Sequence, residues 1–365
     1  MRPSPKRAPM SKVLYVASNM THINNFHTDY IDALRGMGHT VLVMARGEGA
    51  DFDLPFEKKL FSPKNTACRR MIRKIVKEEN FDVIVLNTTL AAFHVRFALL
   101  GMRRPRVINI VHGYLFSANT GFVKRNLLLL CERLVSRQTD AIIVMNAEDR
   151  EIAEKYRLTR GRIDTVEGFG VSVRESVSSP DGLHLEYAPE KYAILFVGEL
   201  SARKNQAFLI KSMPAVLLEI PNAVLWLVGD GAERDDLVAL ASEMGVSRQV
   251  VFFGKRSDAC DFMRAADLYV SAARIEGLPF NIVEALGCGK YVIASQIKGH
   301  TDVINSTRVG LLYPENDMNS FVSAVKKAHD EGVCGAEAAA ERYAHYEKSK
   351  VFSDVLQTIV YNFND

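Results

Sequence analysis

The sequence predicts an α/β protein made of two doubly wound parallel sheets, and three observations predict it. Short apolar runs rich in Val and Ile recur along the 365 residues, as strands buried on both faces do. Stretches of helical periodicity separate these runs, giving the βα alternation of parallel sheets with right-handed crossovers. A polar, turn-rich stretch at 172–190 interrupts the alternation and divides it into two halves, as a linker does.

In the first half the strands are residues 13–17 (VLYVA), 40–45 (TVLVMA), 83–86 (VIVL), 107–111 (VINIV) and 141–144 (AIIV). Each is almost wholly apolar and rich in residues that suit a pleated, buried surface. Apolar residues at helical spacing fill the gaps at 28–37, 66–79, 90–102 and 123–137. The second half repeats the scheme with strands at 192–197 (YAILFV), 223–228 (AVLWLV), 250–253 (VVFF), 268–270 (LYV) and 291–294 (YVIA). Its helices are expected at 207–219, 233–244, 259–265 and 281–286. The chain therefore reads as a disordered, proline-rich lead at 1–11, a first domain at 12–171, the linker at 172–190, a second domain at 191–335, and a helical segment at 336–365 that crosses back to the first domain. Met10 is a second candidate start.

Hydrophobic residues make up 48% of the chain and charged residues 24%, an ordinary soluble composition. The five cysteines are scattered and form no CxxC pair, which argues against a disulfide framework or structural zinc site and for a reducing cytosol. No apolar run reaches the roughly 18 residues of a membrane span, and the basic N-terminus lacks the apolar core of a signal peptide. Net charge is +3, but residues 1–175 hold 28 Lys and Arg against 18 Asp and Glu, whereas residues 176–365 hold 18 against 25. The basic clusters are Arg69, Arg70, Arg73, Lys74 and Lys77, then Arg103, Arg104 and Arg106, then Lys124 and Arg125. An anionic membrane leaflet is one partner for such a half; solvated helix faces are the other reading. Nucleic acid is disfavoured, because no aromatics interleave the basic residues and no known module is visible.

The most informative stretch is residues 276–284 (EGLPFNIVE). Glu276, before an expected helix, can accept from the hydroxyls of a small polar ligand. Backbone amides around Leu278, Phe280 and Asn281 can receive an anion at the helix start. Pro279 suits the first helical turn, where a missing N–H costs nothing. Glu284 can accept from a second pair of hydroxyls. Sugar, phosphate and ribose are the natural occupants. Ligands bind at the carboxyl ends of strands in such sheets, and two such domains facing one another form a central cleft. The candidate residues all follow strands: 19–27, His112, 198–205, 229–231, 254–256 and 276–284.

Four stretches of the second half resemble the GT-B glycosyltransferases of the large retaining group called family 4: residues 196–205 (FVGELSARKN), 227–231 (LVGDG), 251–254 (VFFG) and the Glu276–Glu284 pair. The first half resembles them through the order of its elements and residues 111–113 (VHG); residues 19–27 (NMTHINNFH) resemble the branch that builds bacterial exopolysaccharide, capsule and O-antigen chains. The resemblance implies a nucleotide-sugar donor, a UDP-sugar, and an acceptor carried on a polyprenyl diphosphate at the cytosolic face of the inner membrane. It assigns Glu284 to the ribose, Glu276 to the donor sugar, and Lys204 with Arg203 to the diphosphate. Backbone at Gly277, Leu278 and Phe280 would meet the sugar and diphosphate; Gly198 and Gly229 belong to the same donor wall, and Gly254 and Arg256 lie where the base is held. His112 would sit near the reacting sugar carbon. His112, Glu276 and Lys204 are the implied catalytic set, with no metal or other cofactor required. Closure of the domains over the donor is expected.

The chain departs from the family pattern at two places. Many relatives carry an arginine where this chain has Glu199, so either Arg203 supplies the charge or Glu199 faces away. Thr21 and His22 stand where the usual glycine pair would be, which makes His22, Asn24 and Asn25 acceptor contacts. His27 is a further candidate in the same stretch. Asp51-Phe52-Asp53 resembles a metal-binding DxD but lies in a polar loop, and is read as incidental. The competing functions are an inactive nucleotide-sugar-binding partner, a glycoside hydrolase using Glu276 and Glu284, and a nucleotide-sugar 2-epimerase, whose motifs are not visible.

Overall fold

The computed structural model describes residues 10–57, 62–102, 105–116, 120–176, 179–332 and 335–363. The proline-rich lead, Arg103 and Arg104 fall largely or wholly outside them. The described residues form two compact units, one within Met1–Gly170 and Ser349–Asp365, the other within Val171–Lys348.

The first unit holds β1 (Lys12–Asn19), β2 (Thr40–Arg46), β3 (Val83–Asn87), β4 (Arg106–Val111), β5 (Ala141–Val144) and β6 (Arg162–Thr165), all parallel, in the order β2-β1-β3-β4-β5-β6. The second holds β7 (Tyr192–Val197), β8 (Ala223–Val228), β9 (Val250–Gly254), β10 (Leu268–Ser271), β11 (Val292–Ser295) and β12 (Gly310–Tyr313), also parallel, in the order β12-β11-β10-β7-β8-β9. Both expected sheets are present, each with one strand the sequence pattern did not show. β6 is only partly buried along its length, so it lacks the apolar signature; β12 is a four-residue strand beginning at Gly310.

Strand order fixes where a ligand can lie. In the first unit the chain leaves β1 for β2 and returns to β3 on the other side, so the crevice opens between the C-terminal ends of β1 and β3. In the second it runs out through β8 and β9 and returns to β10 beside β7, placing the crevice between β7 and β10. Such switch points are the usual ligand sites of open α/β sheets.

The core is made by the runs that announced it. Val13, Leu14, Tyr15, Val16, Ile84, Val85 and Leu86 are buried in the first unit, and Ile194, Leu195, Phe196, Trp226 and Leu227 in the second. Each such side chain contributes about 1.5–3 kcal/mol on burial. One buried ion pair locks two helices of the first unit: Arg96, on the helix Thr89–Ala98, donates to both carboxylate oxygens of Glu132 at 2.9 and 3.1 Å.

Three expectations are corrected. Residues 20–26, for which no helix was expected, form a short helix whose N-cap Asn19 accepts from the His22 N–H at 2.9 Å. The polar stretch 172–190 contains the helix Pro180–Tyr187, capped by Ser179 and anchored by buried Leu183, so a cap and one apolar anchor outweighed the absent periodicity. The C-terminal segment divides. Its helix Ala336–Tyr343 belongs to the second unit, while residues from Ser349 onward belong to the first, where Phe352 meets the Tyr30 ring at 4.6 Å and the Asn362 carbonyl accepts from Arg106. The basic residues of the helix Pro63–Glu79 are partly structural: Arg69 lies over the Phe97 ring and Arg73 donates to the Ala98 and Leu100 carbonyls. Asp51 of the DxD-like stretch caps the Val43 N–H at 2.7 Å. Among the described residues no helix is long and apolar enough to cross a membrane.

Candidate functional site

In the second unit the loop after β7 and the loop after β10 are tied together by backbone. Arg274 N–H donates to the Arg203 carbonyl, and Arg274 also reaches Asn205, whose left-handed backbone (φ 58°) ends the β7 loop. This brings Lys204 Nζ to 2.7 Å and Arg203 Nη1 to 2.9 Å from Glu276 Oε1. Glu276 and Lys204 are buried, while nearly half of the Arg203 side chain is exposed. Both cations converge on that one oxygen, and a carboxylate offers about four lone-pair sites, so the group can still accept from a ligand. Burial alone would raise the Glu276 carboxyl, but Lys204 and then Arg203 outweigh it and keep the group below its ordinary range. Glu284 differs. Burial, with Cys260 nearby, pushes its carboxyl up to about 7 against the weaker pull of Lys204.

The helix that carries Glu284 is Phe280–Gly287, with Pro279 as its N-cap rather than its first turn. The Phe280 N–H already donates to the Leu278 carbonyl at 3.1 Å. That amide, offered by the sequence to an anion, instead closes the turn; Leu278 is buried beside it. Asn281 donates to the Val197 carbonyl at 2.9 Å and pins the helix start to the end of β7.

Gly198, Gly229 and Gly254 sit at the adjacent ends of β7, β8 and β9, linked by Gly198 N–H to Val228 and Gly229 N–H to Gly254. A Cβ on Gly229 (φ 141°) would collide with the Gly198 carbonyl, so this corner demands glycine. Arg256 is bound bidentately to Asp258 at 2.6 and 2.8 Å. Its backbone neighbourhood borders a cavity of about 540 Å³ lined by Arg174, Lys255, Arg256, Asp258, Cys260 and Asp261. Glu199 is exposed, its carbonyl accepting from Gln206; Arg203, with Lys204, stands beside Glu276.

The first unit assembles a site of another kind. His112 follows β4; His22 lies within the short helix after β1, and His27 is its C-cap. One ring nitrogen from each lies within 4.8 Å of those of the other two. His22 Nε2 meets His27 Nε2 at 3.2 Å, and His27 Nδ1 meets the Tyr15 hydroxyl at 3.0 Å. Asn87, at the end of β3, donates its amide to the Val16 carbonyl, so its oxygen faces His112 Nε2 at 3.4 Å and leaves His112 Nδ1 as an acceptor. The Phe169 ring stacks on His112 at 5.4 Å. Burial holds His22 down to about 4, and burial reinforced by the neighbouring imidazoles holds His27 and His112 well below 6.5. All three are neutral at pH 7. The spacing suits a metal ion, although His22 and His27 already share a hydrogen bond. Asn24 and Asn25 lie on the exposed side of the helix Met20–Phe26.

The structure thus brings Arg203, Lys204, Glu276 and Glu284 to one strand-end region, and His22, His27 and His112 to another. Sequence reasoning missed Tyr15 and Asn87, which orient the imidazoles, and His300. The last is fully buried, donates Nδ1–H to the Ser295 carbonyl at 2.8 Å, and is held down to about 4 by burial despite the Glu276 charge. Its signal was the Gly299-His300 pair just past β11.

Two family descriptions match the chain: glycosyl transferases group 1 over residues 185–349 and glycosyltransferase family 4 over residues 24–168. The chain is 26% identical over 332 residues to the glycosyltransferase EpsD of Bacillus subtilis (strain 168), covering 87% of each. It is 25% identical over 280 residues, 71% of this chain and 69% of the other, to the UDP-Gal:alpha-D-GlcNAc-diphosphoundecaprenol alpha-1,3-galactosyltransferase of Escherichia coli. Among solved structures, Anabaena Alr3699/HepE in complex with UDP and glucose superposes with a TM-score of 0.76 at 18% identity, covering 96% of this chain and 100% of that one.

Proposed function

The chain belongs to the family 4 glycosyltransferases and has their GT-B fold, and we propose that it moves a sugar from a UDP-sugar to a glycan acceptor with retention of configuration. The acceptor we propose is a saccharide on a polyprenyl diphosphate, met at the cytosolic face of an anionic membrane during cell-surface polysaccharide synthesis. The E. coli relative is named for an acceptor of that class.

The observation that carries the donor reading is the buried, ionised Glu276 between Lys204 and Arg203. Departure of a nucleoside diphosphate leaves negative charge on phosphate and positive charge on the sugar ring. Two cations already held in place stabilise the first without reorganisation, and a carboxylate with accepting capacity orients the sugar hydroxyls. Glu284 serves the ribose, backbone at Gly277 and Leu278 the sugar, and the glycine corner with Arg256 the base end. Same-face substitution lets a leaving-phosphate oxygen take the acceptor proton. His112 then contributes a neutral imidazole with a free Nδ1 rather than an imidazolium; His22, Asn24 and Asn25 receive the acceptor. Lys204 and Arg203 supply the charge that a metal ion would otherwise bring, so no metal or further cofactor is required.

Calorimetric titration of UDP, GDP, ADP and TDP into wild type and Glu284→Ala tests this reading. Selective binding of UDP, weakened in the variant, is expected. Silence toward all four would sink the donor assignment. Binding without transfer would make the protein a nucleotide-sugar-binding partner, the reading that Glu199 favours.

A further inference from the structure

The helix Phe122–Val135 of the first unit is built the wrong way round for a helix that faces only water. Val123, Leu127, Leu130 and Leu134 are 79%, 52%, 54% and 55% exposed. Their spacing of four, three and four places them in one stripe along the helix. Phe122, 74% exposed, is a further apolar side chain at the N-terminal end, to one side of the stripe. The opposite face is an ordinary core face: Leu129, Cys131 and Val135 are buried.

Charge on this helix is sorted as sharply. Exposed Lys124 flanks the stripe on one side and exposed Arg133 on the other, with exposed Arg137 just beyond the helix end. The helix has a single acid, Glu132, and it is turned inward onto the buried Arg96. The outward face therefore carries aliphatic side chains and positive charge, without an acid from this helix.

We propose that this face docks the protein on an anionic lipid surface, the stripe entering the headgroup–acyl boundary and Lys124, Arg133 and Arg137 meeting the headgroups. An apolar stripe rimmed by cations is the pattern of helices that lie in a membrane interface. A second copy of the chain is a poorer occupant, because face-to-face pairing would set cation rows against each other with no acid from this helix to offset them. The apolar crevice behind the helix, bordered by Leu90, Phe93 and Leu128, has only about 40 Å³. That is too small for an acyl or prenyl chain, so the face meets lipid as a surface and does not hold a single chain. The inference rests on the lipid-linked acceptor only for its purpose; the docking surface stands on its own observations.

Flotation of the full chain with phosphatidylcholine vesicles, alone or containing phosphatidylglycerol, tests it. Wild type is expected to float with the anionic vesicles. The Leu127→Glu/Leu130→Glu variant should lose on the order of tenfold in vesicle affinity, and Lys124→Ala/Arg133→Ala roughly fivefold per residue. Equal binding to neutral and anionic vesicles, or unchanged binding by the leucine variant, overturns the proposal. So does self-association in lipid-free solution that the leucine variant abolishes. UDP titration of the same variants separates the two readings: retained UDP binding with lost flotation supports the docking surface. A wild type that floats but ignores UDP supports it too, while sinking the donor assignment.

Discussion

At the C-terminal end of the first sheet, three imidazoles, a phenol and a phenyl ring crowd together without a formal charge. At the C-terminal end of the second, two cations surround one ionised carboxylate and a second carboxyl stands near neutrality. Both sites arise at the same kind of place, a switch in strand order. What differs is whether burial meets an opposing charge. Among the described residues, His27 and His112 have only other imidazoles and uncharged partners near them, so desolvation wins and they stay neutral. Glu276 has Lys204 and Arg203, and desolvation loses. Glu284 is the intermediate case, where the pull of Lys204 and Arg174 is too little to offset burial. A neutral wall suits hydroxyl-bearing acceptors; a charged wall suits a diphosphate.

The comparison breaks most sharply at Lys204. Lys204→Ala removes preorganised charge and leaves Glu276 leaning on the half-exposed Arg203. Steady-state kinetics should show kcat/KM falling by about 10²–10³, the cost of losing one such stabilising group. His112→Ala should lower kcat by about 10², with donor affinity measured by calorimetry nearly unchanged. The reverse split would exchange the roles assigned to the two units.

Glu284 sharpens the contrast through pH. Its carboxyl titrates at about 7 in the folded chain, and the ionised form is the better acceptor for ribose hydroxyls. Affinity for a UDP-sugar should therefore rise up to about tenfold from pH 6 to pH 8, the change in ionised fraction across such a midpoint. Glu284→Gln should flatten the profile; a profile that falls with pH would refute the assignment. The linked effect on folding has the opposite sense. Because the folded value lies above the unfolded 4.5, the folded state binds more protons, and this group's contribution is lost as pH climbs from 4.5 through 7.

The histidines of the first unit act at the acid side. Their folded values lie below 6.5, so the unfolded chain binds more protons there. Stability should fall as pH drops below 6.5 and keep falling toward 4. His22→Gln should reduce that slope in pH-dependent chemical denaturation, and an unchanged slope would show that the cluster is not the cause. The smallest expected effect is that of a chelator: EDTA should leave transfer unaltered, and a loss restored by zinc would turn the three histidines into a metal site.

Much of this was readable in one dimension. Runs such as VIVL at 83–86 and YAILFV at 192–197 became strands because a buried parallel strand must be apolar on both faces. Strand ends then pointed to Glu276, Glu284, Lys204 and His112. β6 escaped because its outer edge carries Arg162 and Asp164, and the helix Pro180–Tyr187 because a Ser cap and one leucine carry no periodicity. Tyr15 and Asn87 were invisible for another reason: inside strand runs they look like any buried residue, and only strand pairing shows that they face imidazoles.

By itself the sequence determined the alternation of elements, the place where it is interrupted, and the residue types offered at each strand end, since these follow from local periodicity and from chain order. Tertiary structure alone decided the charge of those residues and their company. Whether Glu276 is ionised, whether three histidines stay neutral, and whether five apolar side chains of the helix Phe122–Val135 face outward all depend on what distant segments bring into contact. Desolvation and charge pairing act through space, over a few ångströms, between residues that lie far apart along the chain.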